Sequence, residues 1–263
     1  MRRLCCARLI SAEAMKYDCF ALSEAAGSRD SNEDFVALRP DLGIFAVADG
    51  VGGKPAGDQA SQLAVRSFIA TLESECESLR LTDAALQRAL DHANSELLVT
   101  GQNNVLVKGL STTLTALVLG DNNQAKVVHV GDSRLYQYSG GAMWCLTSDH
   151  NLAAELNADS KDVRGLQRWL SRALGFGTHL SVDIVSIVAS PGDIFVLSTD
   201  GLAKSMSESR LRDFVKQLAD RPAREICERL MLEAMSEPLD DDLTISVVKA
   251  NSGPLPAQPA KEF

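Results

Sequence analysis

Four short apolar runs along the chain each border acidic residues, which predicts buried strands that begin or end in acidic loops. The runs are residues 42–48 followed by Asp49 and Gly50, 127–130 followed by Gly131 and Asp132, 194–198 followed by Thr199, Asp200 and Gly201, and 243–248 preceded by Asp240, Asp241 and Asp242. The strand ends of one packed core can lie close together. The pattern therefore predicts that carboxylates far apart in sequence meet at one site.

The spacing of apolar residues predicts the other elements. Further strands are predicted at residues 17–22, 35–38, 112–119, 125–130, 135–138, 142–146 and 182–188, and helices at 57–75, 82–98, 208–218 and 222–235. Strand hairpins in two groups, together with two pairs of long helices, indicate a layered α+β fold. In such a fold the helix pairs would cover the opposite outer faces of two packed sheets.

A polar stretch at residues 151–174 has little continuous apolar face. Short helical fragments are predicted within it at 151–156 and 166–173. This stretch is interpreted as a small flap subdomain at the surface, because segments without an apolar face seldom enter a core.

The remaining sequence predicts one domain at residues 17–249 between two tails. Residues 1–16 are expected to be a disordered N-terminal tail, with Met15 as an alternative start of the protein. The Pro-rich residues 250–263 are expected to be a disordered C-terminal tail.

Composition narrows the functional classes. Apolar residues make up 45% of the 263 residues and charged residues 23%, as in ordinary globular proteins, and the formal net charge of −9 argues against a nucleic-acid partner. No apolar run reaches the roughly 18 residues of a membrane helix. Six cysteines without Cys-x-x-Cys spacing are interpreted as reduced thiols, so a cytoplasmic location without membrane association is expected.

The carboxylates at the strand ends suggest a site for hard divalent cations, because converging buried carboxylates repel one another unless cations or protons separate them. Asp49-Gly50 and Asp200-Gly201 each offer a carboxylate next to a glycine, where a backbone carbonyl can be approached closely. Asp-Gly is also a common turn dipeptide, and for any single pair that reading is the better one. For four clusters at strand ends it is much weaker.

Arg29 lies near Glu33 and Asp34 in the opening polar loop. An arginine beside a metal cluster is a natural ligand for phosphate, which it can grip with two parallel hydrogen bonds. The alternative, a surface salt bridge to Asp30 or Glu33, is equally compatible with the sequence.

A pair of cations bridged by Asp49 would lower the pKa of a shared water molecule and supply a hydroxide nucleophile near neutral pH. No nucleophile from the protein is then required. The sequence agrees, since it contains no Cys-x5-Arg loop, Gly-x-Ser-x-Gly elbow, His-Glu-x-x-His motif, Walker loop or EF-hand spacing.

Nine short motifs occur together and in order over nearly the whole chain. They are RDSNED (29–34), ADGVGG (48–53), GDQAS (57–61), STTL (111–114), GDSR (131–134), LTSDH (146–150), RALG (172–175), STDG (198–201) and DDLT (241–244). This set resembles the metal-dependent protein phosphatases of type 2C, most closely the compact bacterial members. The resemblance implies a central antiparallel β-sandwich flanked by helix pairs, a four-layer αββα arrangement, with residues 17–249 as the catalytic domain.

The resemblance also implies a centre of two or three Mn²⁺ or Mg²⁺ ions at one end of the sandwich. By motif, Asp49 would bridge two metals and the Gly50 carbonyl would bind one of them. Asp200 and Asp241 would complete the shell of the first metal.

Further roles follow from the same resemblance. Glu33 would act on the second metal, partly through water, with Asp34 nearby, and Asp132 with Asp200 would hold a third, weaker metal. Arg29 would bind the substrate phosphate, so that Arg29, Asp49 and Asp200 carry the catalysis.

The implied function is hydrolysis of phosphoserine and phosphothreonine in proteins by the metal-bridging hydroxide. Bacterial relatives often counteract a Ser/Thr kinase, so such a kinase or its substrates are the expected partners of a monomeric enzyme. The alternative is a catalytically inactive module of the same fold that binds phosphoproteins or senses metal. Loss of Asp49, Asp200 or Asp241 would favour that alternative, and none is lost.

The sequence departs from the family at the proton donor. Many eukaryotic members have a histidine where Val51 stands, so leaving-group protonation must come from water or another residue. His150 is a candidate only by elimination, and a loop-fastening role fits it better. Trp144 and Trp169 are interpreted as packing residues.

Overall fold

The computed structural model describes residues 16–27, 31–51, 56–75, 80–103, 109–156, 163–236, 238–251 and 261–262. The strands are β1 (Lys16–Glu24), β2 (Asp34–Arg39), β3 (Ile44–Val51), β4 (Ser111–Thr112), β5 (Leu114–Leu119), β6 (Gln124–Val130), β7 (Arg134–Ser139), β8 (Ala142–Cys145), β9 (Asp183–Val188), β10 (Ile194–Ser198), β11 (Leu243–Asn251) and β12 (Lys261–Glu262). The helices are α1 (Ala56–Ser74), α2 (Asp83–Asn103), α3 (Leu152–Glu155), α4 (Val163–Leu166), α5 (Asp200–Ser205), α6 (Glu208–Gln217) and α7 (Ala223–Ala234).

Two antiparallel sheets form the centre of the fold. A five-stranded sheet has the order β1-β11-β10-β7-β8. A seven-stranded sheet has the order β12-β2-β3-β5-β6-β9, with β4 paired to β3. Every strand pair that the structure records is antiparallel, in agreement with the hairpins predicted from the sequence.

Alternation along β3 shows how the layers are built. Phe45 and Val47 pack between the two sheets, in a cluster that includes Phe195 from the other sheet. Ile44 and Ala46 face the opposite way, into a cluster with α1 and α2. Because successive side chains of a strand point to opposite faces, a run buried on both sides places β3 in the middle of a layered structure.

The five-stranded sheet is covered by helices in the same manner. Side chains of β7, β10 and β11 pack with α5, α6 and α7 in a third buried cluster. The result is the predicted order of layers, with helices outside and two antiparallel sheets inside, and the α+β fold class is confirmed.

Three local predictions differ from the structure. The helix expected at 166–173 is replaced by the short α4 at Val163–Leu166 and an extended segment in which Leu170 bridges Asn151. The short helix α5 begins at Asp200, where a turn was expected. Lys261–Glu262 pair with β2, which differs from the disorder predicted for the C-terminal tail at these two residues. Lys16, Ala250 and Asn251, which were also assigned to the tails, lie in β1 and β11. Residues 1–15, 252–260 and 263 lie outside the described part.

None of the helices in the described part of the chain is both long enough and apolar enough to cross a lipid bilayer.

Phe45 provides a test of the contact between the sheets. Its ring is fully buried and meets the Tyr17 ring edge to face, with 6.0 Å between centroids. Phe45→Ala should lower the free energy of unfolding by about 3–5 kcal/mol, because it removes a large buried side chain and leaves a cavity. Leu232→Ala is the control, since Leu232 is 72% exposed. We expect a change within about 0.5 kcal/mol for the control, measured by urea unfolding. Equal losses in the two variants would contradict the assigned core.

Candidate metal centre and active site

The pairing of β2 with β3 brings the first predicted site residues together. Asp34 and Asp49 are direct partners in this register, and the Gly50 N–H donates to the Glu33 carbonyl at 3.1 Å. Gly50 also lies against the first turn of α1, where an added Cβ would be 2.1 Å from the Gly57 carbonyl oxygen. Only a glycine fits this close approach of strand and helix.

The pairing of β10 with β11 supplies the next carboxylates. Asp200 follows β10 as the first residue of α5, and Asp241 lies two residues before β11. A Cβ on Gly201 would be 2.3 Å from the Asp242 carbonyl oxygen, so the start of α5 packs directly on the Asp241–Asp242 turn. Thr199 joins the two sheets here, because its hydroxyl donates to Asp34 Oδ2 at 2.8 Å.

Asp132 reaches the site from β6. It follows Gly131, whose φ of 112° is a left-handed conformation that favours glycine. The neighbouring Ser133 hydroxyl lies 2.8 Å from the Thr113 hydroxyl, and Thr113 Oγ1 in turn accepts the Asp49 N–H at 2.8 Å. The loop that carries Asp132 is thus tied to the end of β3.

A cavity of about 1110 Å³ collects these groups at one end of the sandwich. Its lining includes the predicted site residues Glu33, Asp49, Gly50, Asp132, Asp200 and Asp241. Asp34 is buried beside Asp49 on the neighbouring strand and does not line the cavity. Arg29 lies outside the described residues.

Burial and mutual repulsion dominate the electrostatics of this cluster. Burial raises the pKa of Asp49 well above its usual range, and the charges of Asp34, Asp200, Asp241 and Asp132 add to the effect. Burial also raises the pKa of Asp34 to about 8, although hydrogen bonds from threonine hydroxyls oppose it. The pKa of Asp132 rises to about 7, through burial first and the charge of Asp200 second. A nearby cation would reverse this penalty.

The donor set fits a hard divalent cation chemically. All the converging groups are oxygen donors, the ligand type that Mg²⁺ and Mn²⁺ prefer. Asp34 Oδ1 is buried and has no hydrogen-bond partner among the described residues, so this oxygen is available to a cation. These two observations support the carboxylates as ligands.

The carboxylate side chains do not converge on a single point. Within the described ranges, no three Asp, Glu, His or Cys side chains have the convergent geometry of a metal site. The ammonium group of Lys204 instead contacts the carboxylates of Asp200 and Asp241. The structure therefore gathers the predicted ligands in an arrangement that a lysine side chain partly neutralises.

Asp242 is a site residue that the sequence analysis did not single out. Its side chain is buried, and its two oxygens accept the backbone N–H groups of Ala26 and Glu33, each at 2.8 Å. Asp242 therefore fixes both ends of the opening loop that carries Arg29. Sequence alone cannot separate its role from that of Asp241, because both precede the same strand.

His150 fastens loops, as the sequence favoured. The ring Nδ1 of His150 accepts the Gly131 N–H at 3.2 Å, and the backbone N–H of His150 donates to the Gly131 carbonyl at 2.7 Å. His129, whose ring centroid lies 4.6 Å from that of His150, bonds to Thr115 and Ser148. Burial lowers the pKa of His129 to about 4, which keeps this ring neutral near pH 7.

The flap joins the site largely through backbone bonds. Ser171 N–H donates to the His150 carbonyl at 2.9 Å, and Leu174 exchanges two backbone hydrogen bonds with Thr112. The Leu152 N–H donates to the Trp169 carbonyl at 2.9 Å, which crosses the base of the flap.

The prediction that both tryptophans are packing residues was wrong. Trp144 is 52% exposed and Trp169 is 66% exposed. Trp169 lines the same cavity as the carboxylates, together with Arg168 and Phe176. Trp169 is therefore not packed into a core, and the sequence carries no signal for that.

Comparison with known proteins agrees with the geometry. Residues 25–241 match the protein phosphatase 2C family. The chain is 28% identical to the protein phosphatase PhpP of Streptococcus pneumoniae over 88% of its own length and 96% of that protein. It is 30% identical to the serine/threonine phosphatase Stp of Listeria innocua, over 79% of this chain and 84% of the relative.

Solved structures give the same result. The serine/threonine phosphatase PstP of Mycobacterium tuberculosis has 26% identity and a TM-score of 0.80, covering 91% of this chain and 100% of that one. A further structure of the PstP catalytic domain, also with a TM-score of 0.80, is a complex with two manganese ions.

The fold and the acidic cavity define a phosphatase of the α+β sandwich class. The chain belongs to the protein phosphatase 2C family. The identification made from the nine motifs is thereby confirmed.

Asp242 can be tested by substitution. Asp242→Ala leaves two buried N–H groups without their acceptor, so the free energy of unfolding should fall by about 2–4 kcal/mol. Hydrogen exchange at residues 26–34 should become faster than in the wild type. Asp193→Ala is a control, because Asp193 is also buried but accepts bonds from Ser190 and Gln137 in another turn. Unchanged exchange at 26–34 in Asp242→Ala would show that Asp242 does not hold this loop.

Proposed function

We propose that this chain is a metal-dependent phosphatase that hydrolyses phosphoserine and phosphothreonine in proteins. The observation that carries the proposal is the convergence of five carboxylates from separate strand ends on one cavity, those of Glu33, Asp49, Asp132, Asp200 and Asp241. Membership of the protein phosphatase 2C family and the two manganese ions of PstP support the same conclusion.

The residues that would hold the cations follow from their positions. Asp49, the most central carboxylate, would bridge two Mn²⁺ or Mg²⁺ ions, and the Gly50 carbonyl would bind one of them. Asp200 and Asp241 would complete that ion's shell. Glu33 would serve the other ion, with Asp34 as its buried neighbour.

Asp132 and Asp200 would hold a third ion. The two carboxylates repel each other in the structure, as the raised pKa of Asp132 indicates. By the resemblance to bacterial members of the family, this third ion would be the weakest bound.

When bound, the cations lower the pKa of a water molecule so that it can attack phosphorus, and they neutralise the phosphoryl oxygens. The protein itself holds the carboxylates in position and forms the wall of the cavity. Arg29 is proposed to bind the phosphate. Val51 lines the cavity and has no titratable proton, so the departing serine or threonine oxygen must take its proton from water or from another residue.

The flap supplies a wall for the peptide around the phosphorylated residue. Trp169 and Phe176 are 66% and 51% exposed, and Arg168 lines the same cavity. Exposed aromatic side chains bury large areas when a partner binds. This wall would hold apolar side chains beside the phosphosite.

We also propose that a Ser/Thr kinase or its substrates are the physiological partners, and that the enzyme acts as a monomer in the cytoplasm. The free thiols of Cys19, Cys145 and Cys227 are compatible with a reducing compartment.

The first test is hydrolysis of p-nitrophenyl phosphate and of a phosphothreonine peptide with Mn²⁺ or with excess EDTA. We expect Mn²⁺-dependent turnover that EDTA abolishes. Asp200→Asn should lower kcat by about 100-fold or more, because it removes charge that holds the cation. Asp213→Asn, on the exposed surface of α6, should retain activity.

The outcomes separate the two candidate functions. Activity that persists in EDTA would contradict the assignment of the carboxylates. Binding of Mn²⁺ without hydrolysis of either substrate would instead favour the inactive module. The retention of every expected carboxylate supports the enzyme.

Trp169 tests the peptide wall. Trp169→Ala should raise KM for the phosphothreonine peptide about tenfold, because an aromatic contact is lost, and should leave p-nitrophenyl phosphate hydrolysis within about twofold. Trp144→Ala is the matched control, since Trp144 is exposed on β8 and does not line the cavity. Equal KM values for the two variants would rule out a substrate contact at Trp169.

A further inference from the structure

Lys204 lies on the same face of α5 as Asp200. The two residues are four apart in this helix, so their side chains are neighbours on its surface. The ammonium group contacts the Asp200 carboxylate, and it donates to Asp241 Oδ2 at 2.7 Å. One lysine therefore interacts with two of the carboxylates that the proposed function assigns to a single cation.

The surroundings of Lys204 allow it both to bind these carboxylates and to leave them. Its side chain is 46% exposed, whereas those of Asp200 and Asp241 are each 19% exposed. The ammonium group thus reaches into the rim of the cavity from a stem that borders solvent. A flexible four-carbon stem lets the charged head move outward without any change in the helix.

Lys204 remains a cation while it is there. Partial burial alone would lower its pKa, but the charges of Asp200 and Asp241 and the hydrogen bonds to them outweigh burial and raise the pKa. The carboxylates become available to another cation when the whole ammonium group moves away.

We propose that Lys204 is a built-in competitor of the metal ion, which neutralises Asp200 and Asp241 in the metal-free protein and must leave them before a cation can bind. The proposal rests on the metal site of the proposed function. In addition, Lys204 would determine how tightly that site binds its metal ion.

Two consequences follow from this competition. Lys204 stabilises the metal-free protein, because it relieves repulsion between two carboxylates that burial and shared charge disfavour. It also weakens the apparent metal affinity, because a ligand that must displace an existing contact gains only the difference between the two. Lys204 therefore raises the stability of the metal-free protein and lowers its apparent affinity for the metal ion.

The experiment measures Mn²⁺ binding to metal-free protein by isothermal titration calorimetry, without substrate. Lys204→Gln keeps a side chain of similar length and removes the charge. Two partly exposed ion pairs are lost, so the Kd should fall by between about threefold and thirtyfold. Lys204→Arg keeps a cation and should leave the Kd closer to that of the wild type.

Lys216→Gln is the matched control for net charge. Lys216 lies on the surface of α6, outside the cavity lining, and its substitution changes the charge of the protein by the same amount. Its Kd should stay within about twofold of the wild-type value, since salt screens the charge of an exposed side chain outside the cavity.

Thermal unfolding gives an independent readout. In EDTA, Lys204→Gln should melt at a lower temperature than the wild type, because the carboxylates lose their counter-charge. In saturating Mn²⁺ the difference should disappear or reverse, so the gain in Tm on adding metal is larger in the variant.

The outcomes distinguish this inference from the function on which it rests. Equal Kd values for wild type and Lys204→Gln would overturn the competition and leave the metal site intact. A changed KM for phosphopeptide with an unchanged Kd for Mn²⁺ would also overturn it, and would make Lys204 a phosphate contact. Absence of Mn²⁺ binding in every variant would overturn both the inference and the proposed metal site.

Discussion

The repulsion between buried carboxylates is the constraint on which this structure depends. Asp49 has four other carboxylates near it on separate elements, and burial makes each negative charge costly. No local segment could hold such a group together. The three buried apolar clusters hold it, because the apolar residues that fix the pairing of β2 with β3 and of β10 with β11 far outnumber the charges. The hydrogen bond from Thr199 to Asp34 then joins the two sheets at the site itself.

The sequence predicted the scaffold well for a physical reason. The strands and long helices have distinct faces. The spacing of their apolar residues therefore follows the periods of 2 residues for a strand and 3.6 residues for a helix. The long helix expected at 57–75 is Ala56–Ser74, and the strand expected at 194–198 is Ile194–Ser198. The gathering of Asp49, Asp132, Asp200 and Asp241 followed from their places at strand ends, which needed no knowledge of the tertiary contacts.

The features that sequence could not supply depend on contacts between distant segments. Asp200-Gly201 was interpreted as a turn, although it begins α5, because only the packing of Gly201 against Asp242 distinguishes the two. The two acceptor oxygens of Asp242 find their donors more than 200 residues earlier in the chain. Trp169 was expected to be a packing residue, since large apolar residues are usually buried, but most of its side chain is exposed.

The joint between the flap and the sandwich has an evolutionary meaning. His150, Ser171, Leu174 and Thr112 meet there through main-chain atoms, which every residue type except proline can supply. Side chains on the outer part of the flap can therefore be exchanged without moving its base. Point substitutions in the flap could therefore change which peptide sequences the protein accepts. The carboxylates that line the cavity would stay in place.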